Sequence, residues 1–509
     1  MCSFKISVKK YLSFLVLALV LTAQVSAQSR VTKPAVVGSA PQTSVKLPYV
    51  TKVLSNGLEV IVYPDSGVPV VTIEMVVRNG AFTEPPELNG LSHLYEHMFF
   101  KTNNALAIYR CDLAQSLRRM EYFNGARCSD RLALRSQIGD VSYIGDLDKS
   151  GFVRNGTTNE EHVNYYFSTT TPNFAPIMRA MRDAMLYPTF DEDEFRQEIQ
   201  VVLGELDRQQ SEPGYYLNKA MMDKLFYKYP SRKSPGGTRE TVAAATTEKM
   251  RLIQSRYYVP NNAALVVTGD VQPERVFSMA EELFSVWKRG EDPFKKFPLV
   301  EHPPLTKSEG VIENQVVDNV IIQIGWHGPS VGKDDASTYA ADIFSFIVEQ
   351  PASRFQRRLV DSGLAFTADV HYYTQRNVGP IRLTMVSSPD KAKAALAAAY
   401  AEIERFNDPS YFTDEELSNA KTLVEARDLF MREKLSEYTH ILGFWWSSTS
   451  SEYYRGYYDK MREIKRADIN RYVSRYLLGK PHIGVAMLSP SAQSTAGLTE
   501  KDLIGAKAK

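Results

Sequence analysis

His93-Leu94-Tyr95-Glu96-His97 reads as H-x-x-E-H, the reverse order of the H-E-x-x-H zinc-site pattern. On a helix, residues four apart share a face, so His93 and His97 can turn ring nitrogens toward a single ion. Glu96 stands one position before the second His, close enough to reach a water at that ion without being a ligand itself. In a chain with only 8 His, the pattern arises by chance about once in a hundred such sequences. The plain alternative is a surface helix with two solvated imidazoles, and the rest of the sequence weighs against it.

The motif sits in 509 residues, too many for one hydrophobic core, which implies about two to four domains. A composition of 44% hydrophobic and 23% charged residues, with a formal net charge of +1, is that of a soluble globular protein. No excess charge or polybasic run points to nucleic acid or to a membrane surface. Lys5, Lys9 and Lys10 precede an apolar run from Tyr11 to Ala23, and Val25-Ser26-Ala27 fits a small-residue cleavage site. That run is short for a membrane span, and no later stretch reaches the necessary length. Residues 1–27 are therefore expected to be a secretory signal removed after Ala27, leaving a periplasmic or secreted protein without a span; an uncleaved anchor is the alternative. Cys2 lies ahead of the apolar run and so is not placed for lipidation. After cleavage only Cys111 and Cys128 remain, a pair that an oxidising compartment could join or leave as free thiols.

Working outward from the motif, the mature chain reads as an internal repeat. Leu58–Tyr63 and Val70–Val77 are rich in β-branched residues and read as strands leading into the His93 helix. A further strand is expected from Gly151-Phe152-Val153-Arg154-Asn155 on through Val163–Phe167. A helix follows from Pro172 to about Tyr187, then a long helix opened by Phe190-Asp191-Glu192-Asp193-Glu194 with its acidic first turn. The second half repeats the order: strand Val320–Trp326, helix Ser337–Val348, a strand starting at Gly363-Leu364-Ala365-Phe366, and a long helix opened by Phe412-Thr413-Asp414-Glu415-Glu416. The expected organisation is an N-terminal extension at 28–48, a first domain at 49–288, a proline- and charge-rich linker at 289–307, a second domain at 308–490 and a tail at 491–509. Mixed strands and helices with hairpin-like neighbours argue for two α+β domains.

Superposing the halves locates the chemistry. Laying Phe190 on Phe412 sets Glu205 opposite Arg427 and Glu198 opposite Ala420, and the Ser337–Val348 helix contains no His. Only the first half carries the candidate metal residues. That half also holds an insertion of roughly thirty residues between about 104 and 150, longer than an ordinary loop. Leu106, Tyr109, Leu113, Leu117 and Met120 recur there at helical spacing, and both mature cysteines fall within it. A bare surface elaboration and a lid or exosite are the two readings of this insertion.

Leu54-Ser55-Asn56-Gly57-Leu58, the turn Asn79-Gly80-Ala81-Phe82-Thr83-Glu84, and above all Gly90-Leu91-Ser92-His93-Leu94-Tyr95-Glu96-His97-Met98 resemble a pitrilysin-like (M16) metallopeptidase domain. The resemblance runs from about Lys52 to Pro490 and is closest to the bacterial, processing-peptidase-like branch. It implies two homologous α/β-sandwich domains, each a mostly antiparallel sheet with helices packed on one face, forming half of a clamshell. It implies one zinc ion per chain, held by His93, His97 and Glu205, since Glu198-Ile199-Gln200-Val201-Val202-Leu203-Gly204-Glu205 fits the family's E-x-x-x-V-x-x-E helix. Glu198, two turns before Glu205, would orient a His ring. Two His and one Glu leave a coordination position for water, with Glu96 as general base in peptide hydrolysis. Asn155-Gly156-Thr157-Thr158 is similar to the family's edge-strand segment, usually N-A-x-T, so Asn155, Gly156 and Thr157 are expected to bind an extended peptide through main-chain hydrogen bonds. Gly156 in place of Ala is expected to loosen that edge.

One departure from the family stands out. Active members carry an Arg and a Tyr seven residues apart in a pattern like S-R-L-x-x-x-L-R-x-x-x-G-L-A-Y, which help stabilise the oxyanion. In Ser353–Phe366, counting back from Gly363, Leu359 and Phe366 occupy those positions, and Arg358 is one place off. The resemblance therefore implies the catalytic subunit of a heterodimer, an endopeptidase for unfolded peptides whose M16-like partner chain supplies the Arg/Tyr pair. A homodimer that manages without the pair is the alternative within the family. A non-catalytic scaffold or peptide-binding subunit is the alternative of a different class. Phe444-Trp445-Trp446 and Tyr453, Tyr454, Tyr457 and Tyr458 read as packing residues. Among the scattered histidines, only His162 lies near the Asn155 strand, where it could touch substrate.

Overall fold

A computed structural model describes residues 47–117, 128, 133–147 and 149–505. The expected signal at 1–27, nearly all of the extension at 28–48, and Met120 lie outside those residues. The repeat is plain in the two sheets. In the first half the strands are β1 Val50–Val53, β2 Glu59–Pro64, β3 Val70–Val77, β4 Val153–Thr158, β5 Val163–Thr170 and β6 Ala263–Gly269, ordered β1-β2-β6-β3-β5-β4. In the second half they are β7 Glu309–Asn314, β8 Val320–His327, β9 Thr367–Tyr372, β10 Pro380–Ser387 and β11 Ile483–Leu488, ordered β7-β11-β8-β10-β9. Leaving β1 aside, the two orders are the same. In each sheet the last strand enters beside the first in parallel, β6 on β2 and β11 on β7, and every other pairing is antiparallel.

The strand expected from Gly151 through Phe167 is instead a hairpin: β4 and β5 flank a turn at Asn159–His162, and β4 becomes the outer edge of the sheet. The tail differs from expectation as well. Leu503 is fully buried, and the turn Asp502–Ile504 packs on β7 and β11. At the other end Leu47 and Tyr49 are buried in the second half's core.

The longer helices of the first half are α1 Leu91–Phe99, α2 Asn104–Ser116, α3 Phe174–Leu186, α4 Glu192–Gln210, α5 Pro213–Leu225, α6 Thr247–Tyr257 and α7 Pro273–Phe284. Those of the second are α8 Asp335–Glu349, α9 Ala392–Ile403, α10 Asp414–Arg432, α11 Leu435–Ser448, α12 Ser451–Glu463 and α13 Arg466–Tyr476. Alternate side chains of a strand face opposite ways. Thus Val60 and Val62 join the core under α1, α3, α4, α6 and α7, while Ile61 and Tyr63 point to the far face. That far face is covered from the other half, by α11 lying across β3 and β6. The exchange is mutual: α5 of the first half lays Leu217, Met221, Met222 and Leu225 against Ile483, Val485 and Met487 of β11. Each sheet is completed by a helix from its neighbour, and the described residues of the two halves form one compact unit.

Polar fasteners lock the exchange. Arg78, after β3, donates to the carbonyls of Trp446 (2.8 Å) and Ser447 (3.3 Å), and Arg376 donates to those of Ser448 and Thr449 (both 2.9 Å). Two cations from two halves thereby satisfy the otherwise unpaired carbonyls at the C-terminus of α11 and sit at its negative pole. At the tip of the β4–β5 hairpin, buried Glu161 accepts from the backbone N–H groups of Arg376 (2.8 Å) and Asn377 (2.9 Å), while buried Lys233 donates to the carbonyls of Asn377 and Val378. In the insertion, Cys111 and Cys128 are disulfide-bonded, with Cα atoms 5.8 Å apart. Replacing Glu161 with Ala strands two part-buried N–H donors and is expected to lower stability by about 1 kcal/mol or more. A urea midpoint unchanged from wild type would show that this carboxylate does not hold the hairpin tip.

Candidate metal centre

The site begins with the entry to α1. Gly90 precedes the helix with φ 86°, and a Cβ there would lie 2.7 Å from the Cα of Gly237, so the position needs glycine for both conformation and space. No side chain of its own caps the helix. Instead the buried Glu84 carboxylate, from the Asn79–Glu84 turn, accepts the N–H groups of Gly90 (2.8 Å) and Ser92 (2.6 Å). A carboxylate at the positive helix end is favourable, although burial pushes its pKa up to about 7. With the entry fixed, Leu91, Leu94, Tyr95 and Met98 anchor α1 in the core, and His93 and His97 emerge together on the other side.

Facing them is α4, whose Glu198 and Glu205 lie two turns apart on one face. The Nε2 atoms of His93 and His97 are 3.3 Å apart, and the Oε2 atom of Glu205 lies 3.7 Å from the first and 3.5 Å from the second. Among the described residues this is the one group of three potential ligands that converges on a point. The remaining nitrogen of His97, Nδ1, is 2.8 Å from the Glu198 carboxylate, which also pairs with Lys101. A carboxylate there makes Nδ1 the protonated nitrogen and leaves Nε2 with its lone pair free. Two imidazole nitrogens and a carboxylate oxygen then converge, a donor set that fits a zinc-sized cation. Burial, and secondarily the charge of His97, pull the His93 pKa down to about 4, keeping that ring in its neutral, ligating form. Burial acts the same way on His97, but the Glu198 hydrogen bond and the carboxylates of Glu96 and Glu205 outweigh it and raise its pKa.

Glu96 is 7% exposed, and its Oε2 is 3.9 Å from the Nε2 of His93. Burial pushes its pKa up to about 7, against the pull of His97 and of the Thr158 hydroxyl, which donates to it at 3.3 Å. Thr158 belongs to β4, the free edge strand that also carries Asn155, Gly156 and Thr157. A Cβ built on Gly156 would fall 2.5 Å from Glu96 Oε1, so this glycine gives clearance to the carboxylate. The alternation of a strand then sets Gly156 and Thr158 toward Glu96, with Asn155 and Thr157 on the opposite face. The contributions of Glu84, Thr158 and Lys101 were not read from the sequence. A count of two from Gly156 would have found Thr158.

The other sequence-picked residues lie elsewhere. Leu359 is buried in the second half's core, whereas Phe366 is 59% exposed and Arg358 is exposed. His162 is buried in the hairpin turn, bonded through Nε2 to Asn159.

Comparison with known proteins agrees with the architecture. The family model described as insulinase (peptidase family M16) matches residues 60–109 and 132–238, and the one described as peptidase M16 inactive domain matches 244–424. The break between 109 and 132 falls inside the insertion and contains both cysteines of the disulfide. An uncharacterised zinc protease of Rickettsia felis is 24% identical over 393 residues, spanning 77% of this chain and 85% of its own length. The zinc protease PqqE of Helicobacter pylori is 23% identical over 432 residues, spanning 83% and 89%. The crystal structure of a protease from Helicobacter pylori matches the fold with TM-score 0.71 at 20% identity, covering 86% of this chain and 99% of that one. An M16-like peptidase from Alicyclobacillus acidocaldarius matches with TM-score 0.71 at 17% identity, covering 88% and 100%. With both domain models matched in order on a shared fold, the chain belongs to the pitrilysin-like M16 peptidase family.

Proposed function

We propose that this protein is a zinc-dependent endopeptidase for unfolded peptides, exported through its N-terminal signal to the periplasm or beyond. The observation that carries this reading is the meeting of His93, His97 and Glu205 at a point within reach of Glu96. Those three residues would hold the zinc, which when bound supplies Lewis acidity for activating water and polarising a carbonyl. Glu198 keeps the His97 ring oriented through Nδ1. Glu96 takes a proton from the attacking water on its carboxylate and delivers it to the leaving amine, a role suited to a carboxylate whose pKa lies near neutrality. The edge strand β4 offers Asn155, Gly156 and Thr157 as main-chain donors and acceptors for an extended substrate, beside the Glu96 carboxylate.

Leu359 and Phe366 leave the chain without the Arg/Tyr pair that the family uses at the oxyanion. We infer that a second, M16-like chain supplies the pair and closes the clamshell. The same two residues favour a second reading, a scaffold or peptide-binding subunit without catalysis, and the two readings differ in whether cleavage depends on Glu96.

Zinc titration of the purified mature protein is expected to give about one ion per chain. Glu205→Gln is expected to abolish tight binding, and Glu198→Gln to weaken it by about 10–100-fold; zinc affinity equal to wild type in both variants would contradict the assigned ligand set. Cleavage of internally quenched peptides is expected to fall at least 1000-fold in Glu96→Gln with zinc content retained. If Glu96→Gln cleaves like wild type, or wild type with its partner cleaves nothing, the scaffold reading takes over. Full turnover by the isolated chain would remove the need for a partner. In Gly156→Val the branched side chain meets the Glu96 Cγ and carboxylate, so kcat should drop while zinc affinity holds; an unchanged kcat would show that the clearance is unimportant.

A further inference from the structure

On the face of the β4–β5 hairpin that points away from the metal centre lies a cavity of about 580 Å³. Thr157 of β4 and Asn164 of β5, paired across the hairpin, border it on the sheet side. Ile441, Phe444 and Trp445 of α11, Phe346 of α8, and Val424 and Met431 of α10 make the rest of its wall largely apolar. The sequence suggests only packing for Phe444 and Trp445, yet both are half-buried and face this space. Most polar groups around the cavity already have partners, while Asn164 Oδ1 is buried without one. Nδ1 of His440 meets the buried Glu74 carboxylate, Asp428 accepts the Tyr454 hydroxyl at 2.6 Å, Glu437 pairs with Lys434, and Arg427 lies over the Phe346 ring. An apolar guest is what this lining selects.

The register of the edge strand says which guest. A peptide paired with β4 sends alternate side chains to opposite faces of the sheet. Those on the Gly156 side approach Glu96, and their immediate neighbours, on the Thr157 side, face the cavity. We propose that this cavity is a specificity pocket for one large apolar side chain of the peptide, an aromatic one best, adjacent to a residue directed at the metal centre. The proposal rests on the edge-strand reading of β4 given above, and adds that sequence preference is set by the second half of the chain.

The test uses full-length mature protein loaded with zinc. Dye-labelled peptides that carry one Phe, or Ser in its place, in a background of small polar residues are titrated onto the Glu96→Gln variant. Burying the ring is expected to tighten binding about tenfold or more. Ile441→Asp, on a half-buried wall position, is expected to erase that difference; Ile441→Phe, which fills the cavity without a charge, should do the same if the Asp variant does not fold. In wild type, mass spectrometry of the products should show the scissile bond keeping a constant spacing from the Phe as it is moved along the peptide. Equal affinity for Phe and Ser peptides, or a preference that survives in a folded Ile441 variant, overturns the pocket. Cleavage at sites indifferent to the Phe overturns it too, and leaves the peptidase reading standing. Selective binding that Ile441 controls, without any cleavage by wild type, supports the pocket while counting against a self-sufficient peptidase.

Discussion

A single hydrogen bond, from Nδ1 of His97 to the carboxylate of Glu198 at 2.8 Å, ties the two elements on which the site is built. It joins α1 to α4, decides which nitrogen of His97 carries the proton, and so turns Nε2 toward His93 and Glu205. Without it the His97 ring has two tautomers and a free torsion, and the three donors no longer converge. Glu198 can serve because it is 5% exposed and neutralised by Lys101, conditions under which a carboxylate is held in one place. The two helices are themselves positioned by features outside the motif: Glu84 and Gly90 set the entry of α1, and Asp191 caps α4 through the backbone N–H groups of Asp193 and Glu194.

The exchange of α5 and α11 buries the apolar faces of both sheets and also shapes the surroundings of the site. Because α11 comes from the second half, the far face of the first sheet is lined by residues that the first half alone does not contain. The Arg78 and Arg376 caps and the Glu161 and Lys233 contacts hold the hairpin that carries β4 against that second half. An edge strand has no neighbouring strand to brace it on its open side. Here it is braced from its tip and from its two faces.

Much of this was legible in the sequence, and the remainder failed for identifiable reasons. H-x-x-E-H placed α1, the seven-residue interval between Glu198 and Glu205 placed both carboxylates on one face, and the repeated opening of α4 and α10 exposed the duplication. Strands β6 and β11 escaped notice because both are buried on both faces, which replaces alternation by a continuous apolar run such as Ala263-Ala264-Leu265-Val266-Val267. The β4–β5 turn was read through because Asn159-Glu160-Glu161-His162 lacks glycine and proline and draws its stability from the distant backbone of Arg376 and Asn377. The helix exchange is a tertiary arrangement, and no local pattern reports which sheet an amphipathic helix will cover. The clearance that Gly156 gives Glu96 was hidden for the same reason, since the two lie far apart in the chain.

Where a zinc ion binds is the most direct test of the metal centre. Crystals of the mature protein grown with zinc, with diffraction recorded on both sides of the zinc absorption edge, would locate the ion from its anomalous signal. One peak per chain is expected, between Nε2 of His93, Nε2 of His97 and the Glu205 carboxylate, with Glu198 still on Nδ1 of His97. A zinc-replete crystal with no peak at that point, or with its peak at another set of ligands, would contradict that expectation.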